Sequence, residues 1–136
     1  RVNRELADLT EKMFHLRTST RDISQCTSVR IILTPDAQKT EEVSRYYGEQ
    51  GWVVLDPRME RNVQNWQEYA RTVCILNRDY TYDEHGDLTG TEDDLLCLYR
   101  CVTRARKEMI LVIEDNVQAG EELLAALRRT RQSTKK

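Results

Sequence analysis

Four short apolar runs punctuate the chain: VRIIL at 29–33, WVVL at 52–55, TVCIL at 72–76 and EMILVIE at 108–114. A strand with one wet face alternates polar and apolar residues, whereas a strand covered on both faces is apolar along its length. Runs of this second kind, separated by stretches of helical period, predict parallel strands joined by helical crossovers. The expected fold class is therefore α/β. It is a three-layer arrangement in which a mainly parallel sheet of about four strands carries helices on both faces. Val29 to Leu33, Thr72 to Leu76 and Met109 to Ile113 are expected side by side and parallel.

The segments between the runs carry their own signals. In the opening VNRELADLTEKMFHL, Leu6, Leu9, Met13 and Leu16 recur at three- and four-residue steps, which gives one apolar face on a helix. DAQKTEEVSRYYGEQG reads as a second helix, with Asp36 able to cap its start and Gly48 and Gly51 able to end it. NRDYTYDEHGDLTG is a polar loop or hairpin turning at DEHG. In TEDDLLCLYRCVTRARK, the residues Leu95, Tyr99, Val102 and Arg106 fall on one line of a helix, and Thr91 or Asp93 can cap it. Acids lead this helix and bases trail it, as the helix dipole favours. A closing helix is expected from Val117 to about Arg129, with Val117, Gly120, Leu124 and Leu127 inward, followed by a flexible basic tail over 131–136.

At 136 residues the chain suits one domain with a real core. With 32% charged residues and no apolar run near the ~20 residues that span a bilayer, membrane insertion is not expected. The chain opens on Arg1 with no signal-peptide pattern, and this reads as a piece of a longer, cytoplasmic polypeptide. Its cysteines, Cys26, Cys74, Cys97 and Cys101, form no C-x-x-C pair, and His15 and His85 lie far apart, so no metal site is expected. The acids Asp79, Asp83, Glu84 and Asp87 do not fit the spacing of a calcium loop. A net charge of −2 gives no electrostatic footprint for nucleic acid within this chain alone.

None of the five glycines belongs to a G-x-x-x-x-G-K-[ST] or G-x-G-x-x-G loop, so the chain offers no backbone cradle for phosphate. Side chains offer more. LYRCVTRARKEMILV, at 98–112, resembles the last conserved motif of superfamily 1 helicases. That motif runs approximately Tyr-x-x-[hydrophobic]-Thr-Arg-Ala-[basic], closing a helix that leads into an apolar strand. Tyr99, Val102, Thr103, Arg104, Ala105 and Arg106 match it position by position. The opening RVNRELADLTEKMF is similar to the helix that begins after Asn-Tyr in the family's NYR motif, with Arg1 as its arginine. WQEYARTVCIL is similar to the family's Gly-x-Glu-[aromatic] motif, with Glu68 and Tyr69 as the matching pair and Trp66 in place of glycine.

The resemblance implies that residues 1–130 form the C-terminal RecA-like domain of a UvrD/Rep-like helicase or helicase-like ATPase. Such a domain is a P-loop NTPase-like half without the P-loop. It implies a catalytic role for Arg104 as an arginine finger, whose planar fork stabilises a transferring phosphoryl group by ~10³ to 10⁵ in rate. Arg1, Glu68, Tyr69 and Thr103 would contact nucleotide, although the Thr103 hydroxyl can also bond back to its own helix. ATP and Mg²⁺ would both require an N-terminal RecA-like domain of the same polypeptide, and single-stranded nucleic acid would be the partner tracked. Two alternatives stand beside this. Arg104 balancing a helix dipole is worth less than ~1 kcal/mol. The whole chain as a non-enzymatic α/β interaction module would keep a degenerate helicase site and dock partners around Trp52 and Tyr47.

Overall fold

The computed structural model describes residues 29–59 and 68–134, with side chains as far as residue 126. The opening helix, Arg1 and Trp66 lie outside the described residues. In chain order the elements are β1 (Val29–Thr34), α1 (Ala37–Glu49), β2 (Val53–Leu55), β3 (Tyr69–Leu76), β4 (Thr81–Tyr82), β5 (Leu88–Thr89), α2 (Glu92–Val102), β6 (Ala105–Glu114) and α3 (Val117–Thr134). Four strands form a sheet in the order β1-β6-β3-β2, and every pairing in it is parallel. The three runs expected side by side are neighbours: Val29 pairs with Met109, and Met109 with Thr72.

Continuous apolarity in β6 follows from its central place. Met109, Leu111 and Ile113 enter one cluster with Leu98, Cys101 and Val102 of α2 and Ala119 and Leu123 of α3. The alternate residues Ile110 and Val112 enter another with Trp52, Val73 and Ile75, against which Val43 and Tyr47 of α1 pack. Each of these β6 side chains is at most 1% exposed. Burial of a large aliphatic side chain stabilises by roughly 1.5–3 kcal/mol, so β6 anchors all three layers.

Local chemistry sets the boundaries of α1. The Asp36 carboxylate accepts from the Lys39 N–H at 2.9 Å, an N-cap bond. At the other end Gly51 takes φ +91, a left-handed turn that glycine enters without steric penalty. The turn brings Trp52 edge-on to Tyr47, with ring centroids 5.3 Å apart. The guanidiniums of Arg30 and Arg71 lie 5.8 and 5.9 Å from the Trp52 ring. Trp52 is only 9% exposed, whereas Tyr46 is 59% exposed.

Two expectations are corrected. The helix expected to reach Arg106 stops at Val102, and Ala105 already pairs with Tyr69 as the start of β6. Pairing an apolar strand centrally in a sheet outweighs one more helical turn, so Arg106 rides on a strand. Among the described side chains of α3 the inward residues are Ala119, Gly120, Leu123 and Ala126, while Val117 is 71% exposed and Leu124 half-buried; the Leu127 side chain lies outside the described residues. Asn116 sets this phase: its Oδ1 accepts from the Ala119 N–H at 3.2 Å, and its Nδ2 donates to the carbonyls of Asn77 and Tyr80. The helix continues to Thr134, into the segment read as a basic tail.

The polar stretch after β3 forms an antiparallel hairpin, with Thr81 opposite Thr89 and Gly86 at φ +81 in its turn. Gln118 of α3 holds the hairpin at a single residue, Tyr82. Its Oε1 accepts from the Tyr82 N–H at 2.7 Å, and its Nε2 donates to the Tyr82 carbonyl at 2.8 Å.

Candidate functional site

All four strands run the same way, so the sheet has an amino edge, where β3 and β6 begin, and a carboxyl edge, where the strands end. Glu68, Tyr69, Thr103, Arg104 and Arg106 meet at the amino edge. Their meeting is made by β3–β6 pairing, since the two segments are far apart in sequence.

Helix α2 delivers the Thr-Arg-Ala triplet. Thr91 Oγ1 accepts from the Asp94 N–H at 3.1 Å to open the helix, and Glu92, Asp93 and Asp94 fill its first turn. At the far end the last carbonyls lack helical donors, and the triplet supplies them. The Thr103 hydroxyl donates to the Tyr99 carbonyl at 2.8 Å, and the Thr103 N–H donates to the same carbonyl at 3.0 Å. Arg104 Nε donates to the Arg100 carbonyl at 3.1 Å, and its side chain is only 6% exposed. Thr103 and Arg104 thus tie off the C-terminus of α2, where positive charge also complements the helix dipole.

Across the edge, Glu68 Oε2 lies 3.3 Å from Arg106 Nε, and Glu108 Oε2 lies 2.7 Å from Arg71 Nε. These pairs run acid-to-base from β3 to β6 at the first rung and base-to-acid at the second. Both members of the Glu68–Arg106 pair are well exposed, so the pair contributes less than ~1 kcal/mol. Tyr69 turns toward the α2 side and packs on that apolar cluster.

This set comprises the guanidiniums of Arg71, Arg104 and Arg106, the hydroxyls of Tyr69 and Thr103, and the carboxylates of Glu68 and Glu108. It suits contact with an anionic ligand held elsewhere, and it offers no succession of backbone N–H groups to cradle one. Among the described residues, no group of three or more His, Cys, Asp and Glu side chains is placed to hold a metal ion. Cys74, Cys97 and Cys101 are free thiols buried in the core. The Cys74 thiol is pushed well up by hydrogen bonding with Cys101 and by burial.

A second concentration of polar groups lies at the carboxyl edge, on segments that carry no phosphate-loop motif. Asp36, Arg58, Asn77, Arg78, Glu114 and Asp115 line a cavity of about 380 Å³ there. Each follows or closes a strand, and that position is the signal by which the sequence could have marked them. β6 spans ten residues, so the two edges stand about 30 Å apart.

No protein-family model, curated protein or solved structure matches this chain.

Proposed function

We propose that this chain is the C-terminal RecA-like half of a superfamily 1 helicase-like ATPase. In this reading it closes over ATP and Mg²⁺ bound chiefly by an N-terminal RecA-like domain of the same polypeptide, and hydrolysis is coupled to single-stranded nucleic acid. One observation carries the reading. Glu68–Tyr69 and Thr103–Arg104, two segments that resemble separate helicase motifs, lie together at the start of adjacent parallel strands, joined by the Tyr69 N–H to Arg104 carbonyl bond at 2.9 Å. A nucleotide-sensing edge needs this convergence, and similarity of either segment alone does not require it. Within the reading, Arg104 stabilises the transferring phosphoryl group, Glu68 orients the edge through Arg106, and Arg1 assists.

The second reading is a non-enzymatic α/β interaction module with a degenerate site, and a specific observation favours it. Arg104 is buried and spends its Nε on the Arg100 carbonyl, which is what an arginine with a purely structural duty does. Of the two aromatics assigned to its docking surface, Trp52 is packed inside and Tyr47 is half-buried against it, so the neighbouring exposed Tyr46 would have to carry that role.

Kinetics of the full-length polypeptide decide between them. A finger acts mainly on the transition state, so Arg104→Ala should lower ATPase kcat by ~10² or more with little change in nucleotide affinity. Arg104→Lys should rescue little, because lysine lacks the planar fork. A kcat within a factor of about three of wild type, measured well below the variant's own melting temperature, selects the interaction module.

A further inference from the structure

β1 stands at one end of the β1-β6-β3-β2 sheet, and among the described residues β6 is the one strand that pairs with it. Main-chain groups alternate in direction along a strand, and the Thr34 carbonyl faces β6, where it accepts from the Asp115 N–H at 2.8 Å. Ile31 and Leu33 therefore present their N–H and carbonyl groups to the open side. An edge of this kind is a template for another strand.

Proteins protect such edges with lysine, proline, a bulge or a very short strand. The opposite edge, β2, is only three residues long. β1 has six, VRIILT, and its register with β6 runs unbroken from Val29 to Thr34. Its one charge is drawn aside: the Arg30 guanidinium lies 5.8 Å from the Trp52 ring and 6.0 Å from the Tyr47 ring, on the α1 side. Ile31 and Ile32 are half-buried, and Leu33 is 54% exposed.

The two ends of β1 carry opposite charge. Arg30, exposed and in no ion pair among the described residues, marks the amino end. Asp36, exposed and capping α1 through Oδ1 alone, marks the carboxyl end, with Asp115 beside it on the neighbouring strand. A parallel partner would set like charges together. An antiparallel one sets each Arg30 beside the acids of the other copy, and a two-fold axis does so at both ends at once.

We infer that β1 pairs antiparallel with β1 of a second copy of this chain, about a two-fold axis at Ile32. In that register Ile31 stands opposite the second copy's Leu33, and such a pair exchanges both main-chain hydrogen bonds. Ile31 and Leu33 meet on the α3 side, where Leu33 borders Gly120. Ile32 meets its own copy on the α1 side, in the close position without main-chain bonds. Arg30 stands opposite the second copy's Thr34, next to its Asp36. α1 packs among Ile110 and Val112 of β6 and Val73 and Ile75 of β3, inside the edge. One strand a side buries less than the ~800 Å² per partner of a standard interface, so a Kd of about 10 µM is expected. Pairing through β1 does not depend on what the amino edge binds.

Sedimentation equilibrium of the 136-residue chain from about 1 to 300 µM tests it, and a monomer–dimer equilibrium is expected. Leu33→Lys, at an exposed position, should weaken the dimer about tenfold or more. Arg30→Glu should weaken it about tenfold, and Asp36→Lys in the same chain should restore it to within about threefold. Under diamide, Ile32→Cys should crosslink with its own copy beyond the wild-type level, in a dimer that dithiothreitol dissolves, because Cα atoms paired there lie within disulfide reach. Leu33→Cys should not, since the register sets the two copies of residue 33 too far apart. A chain that is monomeric throughout overturns the proposal. So does a dimer indifferent to Leu33→Lys and Arg30→Glu, which would use another surface. An Arg30→Glu defect that Asp36→Lys leaves unrepaired, or a Leu33→Cys crosslink as strong as that of Ile32→Cys, likewise overturns it.

Discussion

The backbone N–H of Tyr69 donates to the carbonyl of Arg104 at 2.9 Å, joining the first residue of β3 to the residue that links α2 to β6. Because the bond is made by main-chain atoms, it fixes where the two segments meet whatever their side chains are. The strand pairing at the amino edge should therefore survive a change of side chain, even where that change costs stability.

Arg104→Ala removes the Nε bond to the Arg100 carbonyl and a buried aliphatic stem. It should destabilise the chain by about 1–3 kcal/mol, read as a lower urea midpoint with unchanged slope. The Tyr69 amide should stay protected in hydrogen exchange relative to the variant's own global stability. Selective loss of that protection would show that the side chain, and not the strand pairing, holds the edge together.

The isolated chain should bind ATP weakly or not at all, since neither edge presents a backbone phosphate cradle. Titration calorimetry on residues 1–136 checks this. Micromolar affinity would mean that these residues hold a nucleotide site of their own.

Three groups make the fold sensitive to alkali. Burial raises the Tyr80 hydroxyl, with Asp94 adding to the effect, and the neutral hydroxyl donates to the Asp94 carbonyl at 3.0 Å. Burial likewise raises Tyr82, and hydrogen bonding with Cys101 followed by burial raises Cys74. In the unfolded chain these groups lose protons near their ordinary values, 9.0 for the thiol and 10.0 for the phenols. The unfolded state is thus favoured as pH climbs past those values, while the folded state still holds its protons. Their contribution to stability should be fully present at neutral pH and fall above about pH 9. Urea melts across that range check it, and tyrosine absorbance should show the Tyr80 and Tyr82 phenols titrating only on unfolding.

Gly120→Ala should be neutral or stabilise by up to about 1 kcal/mol, although a methyl group there would come within 2.8 Å of Leu33 Cδ2. The obstructing atom ends a flexible side chain that is 54% exposed and free to turn away. A glycine inside a helix gives up more backbone entropy on folding than alanine does, because its unfolded state is freer. Thermal melting settles the sign, and a loss greater than about 1 kcal/mol would show that Leu33 is locked against α3.

Strand identity was legible in the sequence because a strand buried on both faces has to be apolar along its length. VRIIL, TVCIL and EMILVIE could fold as little else, and they became β1, β3 and β6 in parallel register. The caps at Asp36 and Thr91 were legible too, since each side chain bonds a backbone group three residues on. Arg106 was misplaced because helical periodicity in LYRCVTRAR does not reveal that Tyr69, far away in sequence, offers Ala105 a strand partner. Long-range pairing overrides local period there. The phase of α3 was misread for a related reason: Asn116, bonded to carbonyls beyond β3, turns Leu123 inward in place of Leu124. The carboxyl-edge cleft was invisible to local pattern, because Glu114 and Arg58 share no motif and meet only when parallel strands end together. Sequence by itself determined which segments must be buried, since burial is a property of each segment's own side chains. Tertiary structure alone decided which charges stand beside one another and which strand is left at the edge of the sheet, since both depend on residues the chain brings together from a distance.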